Sequence, residues 1–285
     1  MSRIVYVNGE YVPEEEAKIS IFDRAFLMAD GVYEVTSVID RKLCDYPAHM
    51  TRLHRSLSEL KMRAPCSDDE LLAIHRELVE RNDLDGGMIY LQVTRGAPGD
   101  RDFVWPGEDC QPGLVLFTQA KDLVNAPAAG VGTRVMTLED QRWARRDIKT
   151  TQLLFPSFAK MEAKAAGYDD AWLTADGMVN EGTSNNAYIV KGGTIITRNL
   201  SNDILHGITR AAVLRYAKEA QMKVEERAFS VEEAKQADEA FATAASLFVM
   251  PVVEIDGAQI GDGKPGSVAT RLREIYLEES RKAAV

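Results

Sequence analysis

From Met88 to Thr94 the chain sets Ile89, Leu91 and Val93 against Tyr90, Gln92 and Thr94 in strict alternation. That is the period of a strand with one face in a core and the other open. Such a strand needs cover for its apolar face, and the preceding residues offer it. Residues 48–63 place Leu53, Leu57 and Leu60 on one helical face, and Ser67 followed by Glu70 makes a capping-box pattern ahead of Leu71, Ile74 and Leu78. The first half is therefore expected to be a sheet with amphipathic helices packed against it. An opening strand turns at Asn8-Gly9, Leu27 to Ile39 is β-rich, and Leu114 to Thr118 is a further strand. Residues 96–107, rich in Gly and Pro, form a loop.

The small-residue, Pro/Gly-marked stretch 121–132 reads as a linker. It leaves an α/β domain over 1–120 and a larger mixed domain over 133–285. In the second, strands are expected near 133–138, 170–174, 186–190, 194–197 and 248–255, with helices at 155–166, 208–221 and 268–283; Val213, Ala217 and Ala220 share a face of the second helix. With 34 Lys and Arg against 44 Asp and Glu, and a net charge of −10, nucleic acid and anionic membrane are not expected as partners. The three cysteines, Cys44, Cys66 and Cys110, show no C-x-x-C spacing, so reduced thiols in the cytoplasm are expected and no metal site. No stretch is apolar enough to span a bilayer.

Three segments carry chemistry. Asp147-Ile148-Lys149-Thr150-Thr151 offers an amine, Val179-Asn180-Glu181-Gly182-Thr183-Ser184-Asn185-Asn186 a carboxylate, and Leu205-His206-Gly207-Ile208-Thr209-Arg210 a glycine-containing helix entry. Taken singly, they read as a solvated lysine, a polar turn and an ordinary helix start. Together they meet the needs of a pyridoxal phosphate site: a lysine to hold the aldehyde, a carboxylate to keep the pyridine nitrogen protonated, and backbone N–H groups for the phosphate.

With Phe22-Asp23-Arg24-Ala25-Phe26, Asp30-Gly31-Val32-Tyr33-Glu34-Val35, His49-Met50-Thr51-Arg52-Leu53 and Gln92-Val93-Thr94-Arg95-Gly96 in the same order along the chain, the sequence resembles the fold-type IV pyridoxal-phosphate aminotransferases. That group includes D-amino acid aminotransferases, branched-chain aminotransferases and aminodeoxychorismate lyases. The resemblance implies a two-domain α/β (α+β) fold, with a small N-terminal domain and a larger C-terminal pseudo-barrel domain, the cofactor in the cleft between them, and a homodimer. It makes Lys149 the Schiff-base lysine and Glu181 the partner of the pyridine nitrogen. Arg52 would bind the phosphate bidentately, joined by the backbone of Ile208, Thr209, Ala244 and Ala245, and Leu205 would pack on the ring. Alanine at 245 stands where family members with a hydroxyl residue add a phosphate contact. Within the group, Leu154, five residues beyond the lysine, and Arg101 match the D-amino acid enzymes. Arg101 would grip the substrate α-carboxylate with Tyr33 and Tyr90 completing that side, and Phe103 stands where those enzymes carry a histidine. The implied reaction is ping-pong amino transfer between a D-amino acid and a 2-oxo acid. (R)-Amine or branched-chain L-amino acid transamination, or aminodeoxychorismate lysis, are the alternatives.

Overall fold

The alternation that begins at Met88 organises a six-stranded sheet. The computed structural model describes residues 2–285, in two compact units. One comprises the residues up to Asp122 with Ile148–Gln152 and Ala283–Val285; the other comprises Leu123–Asp147 with Leu153–Lys282.

In the first unit, β1 (Ile4–Val7), β2 (Glu10–Pro13), β3 (Gly31–Ile39), β4 (Lys42–Leu43), β5 (Gly86–Thr94) and β6 (Gly113–Ala120) run in the order β2-β1-β6-β5-β3-β4, every pair antiparallel. Helix α1 (Arg24–Met28) precedes β3, and α2 (Tyr46–Glu59) and α3 (Asp68–Arg81) follow β4. Val32, Ile89, Leu91, Val93, Leu114 and Leu116 form one core with Leu53, Leu57, Leu71 and Leu78 of the two helices. The period of two leaves Tyr33, Tyr90 and Phe117 half-buried on the opposite face. The capping box forms as its spacing predicts, with the Ser67 and Glu70 side chains each accepting from the other's backbone N–H.

The second unit contains α4 (Pro127–Val131), β7 (Thr133–Glu139), α5 (Leu154–Ala165), β8 (Asp170–Ala175), β9 (Met178–Gly182), β10 (Asn186–Lys191), β11 (Thr194–Thr197), α6 (Ile208–Glu219), β12 (Lys223–Glu226), α7 (Val231–Lys235), β13 (Glu239–Ala244), β14 (Phe248–Ile255), β15 (Ala258–Gln259) and α8 (Ser267–Ala283). Its nine-stranded mixed sheet runs β12-β11-β10-β13-β14-β7-β8-β9, with β15 beside β14. The sheet curls: Asn186 of β10 hydrogen-bonds Glu181 of β9, at the far end of that order. Trp172, Ile189, Phe229, Val252 and Ile255 fill a core of this unit. On α6, Val213 and Ala217 are buried as expected, while Ala220 is the exposed C-cap.

The stretch expected as linker holds α4, and from Leu123 onward it belongs to the second unit. The lysine segment, expected with the second domain, packs in the first. Ile148 is part of that unit's core, and Thr150 forms a bridge with Val32 at the start of β3. Among the described residues no helix is long and apolar enough to cross a membrane.

Candidate active site

Lys149 owes its position to backbone pairing. The Tyr33 N–H donates to the Lys149 carbonyl (3.0 Å) and the Thr151 N–H to the Gly31 carbonyl (3.0 Å), so Thr150 pairs with Val32 as an isolated antiparallel bridge. The Lys149 N–H donates to Ser56 Oγ of α2 at 3.4 Å. Its half-buried Nζ lies 4.0 Å from the centroid of the Tyr33 ring, within range of the negative face of an aromatic ring. Tyr33 stacks on Tyr90 at 5.5 Å, and Tyr90 on Phe117 at 4.9 Å. The amine thus stands over the end of an aromatic ladder running across three strands. Burial pushes the Tyr90 phenol up, and its hydroxyl donates to Gln92 Oε1 at 2.8 Å.

Arg52 is one helical turn before Ser56, on the same face of α2. Its guanidinium is already engaged: Nε donates to Glu34 Oε1 (2.8 Å) and Nη2 to Glu34 Oε2 (2.7 Å). His49 Nδ1, 2.8 Å from the same Oε2, donates as well, because an ionised carboxylate can only accept. Burial alone would raise the Glu34 carboxyl, but Arg52 and His49 outweigh it and hold it down at about 2. Neither Glu34 nor His49 had been singled out in the sequence beyond belonging to a motif.

In the second unit, Glu181 lies within β9 and is 3% exposed. Its carboxylate accepts from Arg142 Nη1 (2.7 Å), from the Leu205 N–H (3.1 and 3.0 Å to the two oxygens) and from Asn186 Nδ2 (3.0 Å). Arg142 is shared. Its Nε and Nη2 donate to Asp140 at 2.9 and 2.8 Å, and these two carboxylates push the guanidinium up despite its burial. Burial raises the Glu181 carboxyl, with Asp140 adding to the rise and Arg142 and the Leu205 N–H limiting it. A buried carboxylate of raised proton affinity is suited to sharing a proton with a ring nitrogen.

Glu181 is tied to the start of α6 through Asn186, whose Nδ2 also donates to the Leu205 carbonyl at 3.0 Å. A Cβ at Gly207 would stand 2.0 Å from Asn186 Oδ1, so any larger residue there would displace the amide that reaches Glu181. Gly207 is also the N-cap of α6 and brings no side-chain cap. The first-turn N–H groups of Ile208 and Thr209 lack an intrahelical acceptor, and the helix dipole favours an anion beside them. Ala244 closes β13 next to Thr243, which pairs with Asn186, and Ala245 opens the turn that follows. These residues fit a phosphorylated pyridine: a carboxylate for its nitrogen, and uncapped amides at the same end of the sheet for its phosphate.

The structure therefore brings together Lys149, Tyr33 and Tyr90, and pairs Arg52 with Glu34. It separately brings together Glu181, Leu205, Ile208 and Thr209, with Ala244 at the same sheet end. Arg101 joins neither set. It is exposed in the loop, its guanidinium 4.7 Å from the Phe103 ring. Leu154 opens α5 and is 86% exposed. Arg142 and Asn186 were overlooked in the sequence, the first as one of several arginines before Lys149, the second as the end of a polar run.

Known proteins give a consistent picture. The family model described as amino-transferase class IV matches residues 31–255. The D-alanine aminotransferase of Staphylococcus haemolyticus is 37% identical over 98% of this chain and 99% of its own length. That of Listeria monocytogenes serotype 4b is 35% identical over 96% and 95%. Among solved structures, the branched-chain amino acid aminotransferase from Thermoproteus uzoniensis with norvaline superposes with a TM-score of 0.86 at 26% identity, covering 98% of this chain and 94% of that one. The branched-chain amino acid aminotransferase from Escherichia coli gives 0.88 at 25% identity, over 98% and 95%.

Proposed function

Because the chain belongs to the class IV aminotransferases, we propose that it moves the amino group of a D-amino acid, such as D-alanine or D-glutamate, to a 2-oxo acid by a ping-pong cycle with pyridoxal 5′-phosphate as cofactor. The observation that carries this reading is Glu181, a buried carboxylate of raised proton affinity bonded to the residue that leads into an uncapped helix start. Full-length likeness to D-alanine aminotransferases supports the donor class.

When bound, pyridoxal 5′-phosphate supplies the aldehyde that takes up the amino group and the ring that accepts electrons from Cα. Lys149 Nζ would hold the aldehyde carbon and, as a free amine, would take the proton from the donor's Cα. Glu181 keeps a proton at the ring nitrogen, and Asn186 and the Leu205 N–H fix the carboxylate's orientation. Leu205 would pack on the ring. Ile208 and Thr209, with the backbone at Ala244 and Ala245, hold the phosphate; Arg52 adds its charge while Glu34 keeps the Nε–Nη2 edge in place. Arg101 grips the donor's α-carboxylate through a two-pronged hydrogen bond, with Tyr33 and Tyr90 on the same side.

The protein acts as a homodimer. Leu154, Phe158 and Met161 lie on one face of α5 and are 86, 56 and 62% exposed, an apolar stripe that a second copy would cover. Cys66 and Cys110, both free thiols, fit a reducing cytoplasm.

Two measurements test the reading. Purified holoenzyme has a visible absorption band that Lys149→Ala abolishes; a band that survives the substitution moves the cofactor to another amine. Assays of D- and L-alanine, D- and L-glutamate, leucine and (R)-1-phenylethylamine against pyruvate and 2-oxoglutarate show turnover concentrated on the D-amino acids. Preference for L-leucine or the amine would overturn the donor class.

A further inference from the structure

Phe103, Val104 and Trp105 of the loop between β5 and β6 are 75, 72 and 51% exposed, so burial of apolar side chains does not hold this loop in place. Charged groups beneath it do. Arg24 is 4% exposed, and its Nε donates to Asp30 Oδ2 at 2.7 Å. Its Nη1 reaches up to the carbonyls of Asp102 (2.5 Å) and Val104 (3.2 Å). These carbonyls flank Phe103, and the first belongs to the residue directly after Arg101. Arg95 Nε donates to the same Asp30 oxygen at 2.8 Å, its Nη2 bonds the Leu60 carbonyl at 2.9 Å, and its guanidinium lies 4.4 Å from the Trp105 ring. The neck of the loop is closed as well. Gly96 has φ +101°, and a Cβ there would stand 2.1 Å from the Gln111 carbonyl.

We propose that Arg24 is a positioning residue for substrate selection: through the carbonyls of Asp102 and Val104, and braced by Asp30 and Arg95, it fixes the backbone from which Arg101 reads the donor's carboxylate. The inference rests on the assignment of Arg101 under the proposed function and adds the device that sets its position. A guanidinium suits the task because its fork serves Asp30 and two carbonyls at once, whereas an ammonium cannot span them in that geometry. Removing the fork lets the loop wander while the chemical groups at Lys149 and Glu181 stay as they are.

The test is a four-enzyme cycle on the holoenzyme: wild type, Arg24→Lys, Arg101→Ala and the double variant. Arg24→Lys keeps the charge beside Asp30 and so protects the fold. Kinetics with D-alanine and pyruvate are combined with amide hydrogen exchange of the peptides covering 99–106, a readout independent of turnover. Arg24→Lys is expected to speed exchange across 101–105 and to raise the KM for D-alanine about tenfold, with kcat within about twofold, as a displaced binding group does. In the Arg101→Ala background it adds nothing to KM. Unchanged exchange, a fall in kcat at constant KM, or fully additive effects of the two substitutions each overturn the proposal. If Arg101→Ala alone leaves KM intact, the carboxylate assignment is at fault, and the positioning role falls with it. If Arg101→Ala raises KM and Arg24→Lys does not, only the positioning role is lost. Absence of D-alanine turnover in the wild type would count against the donor class, and the exchange arm would still decide whether Arg24 holds the loop.

Discussion

Glu34 and Glu181 are both buried glutamates with an arginine nitrogen at 2.7 Å, and they are driven in opposite directions. Glu34 receives two bonds from one edge of Arg52 and a third from His49, and its carboxyl is held at about 2. Glu181 receives one nitrogen of Arg142, whose remaining donors go to Asp140, and burial pushes its carboxyl up. Burial and the type of partner are shared; the division of the guanidinium is not. Two nitrogens of one arginine edge on a single carboxylate hold its charge, whereas Arg142, divided between Asp140 and Glu181, leaves Glu181 with a raised proton affinity. The first arrangement makes a scaffold beneath Arg52, and the second makes a site.

Three experiments can break this contrast. The largest effect is expected for Glu181→Gln, which keeps the shape and removes the proton acceptor: turnover should fall on the order of 10³-fold in steady-state assays, with cofactor content, read from absorbance, nearly intact. Equal losses in both would reduce Glu181 to a binding contact. Glu34→Gln should act on stability instead. It leaves Arg52 buried without its ionic partner, for about 3 kcal/mol in urea unfolding, clearly more than Glu181→Gln costs. Matching stability losses would erase the contrast. The smallest effect is in pH. Glu34 titrates near 2 when folded against an ordinary 4.5, so the unfolded chain takes up the proton first. The stability Glu34 contributes is complete above 4.5 and is lost as pH falls toward 2, at up to about 1.4 kcal/mol per unit. For Glu181 the sign reverses: the folded state binds the proton more tightly, and its contribution declines as pH rises above 4.5. Glu34→Gln should therefore flatten acid unfolding, and an unchanged acid limb would show that the carboxyl is not locked.

The contrast also marks how far the sequence could be read. Strand β5 was legible because its alternation is uninterrupted, and α3 because its capping box is local. Strand β13, Glu-Ala-Phe-Ala-Thr-Ala, was not: it is buried along nearly its whole length, so no period of two distinguishes it. The segment that reads as a polar turn around Glu181 begins as strand β9, and the β8–β9 pairing is itself irregular there. Lys149, Glu181 and Arg101 could be named from the ordered motifs. Arg142 could not, because its partner is distant in sequence and only the curl of the sheet brings the two together. Nor does the motif around Arg24 reveal its role, because its bonds to the Asp102 and Val104 carbonyls depend on a loop with no regular pattern of its own.

The lysine segment has a consequence for biosynthesis. When residues up to Asp122 have emerged from the ribosome, the first unit still lacks the stretch that pairs along β3, because Ile148–Gln152 has not yet emerged. The hydrogen bonds between Leu43 and Val285 come later still. The reactive amine is thus installed by a contact distant in sequence, after much of the sheet that receives it can already have formed. A nascent chain stalled before that point carries the aromatic ladder without the amine that stands over it.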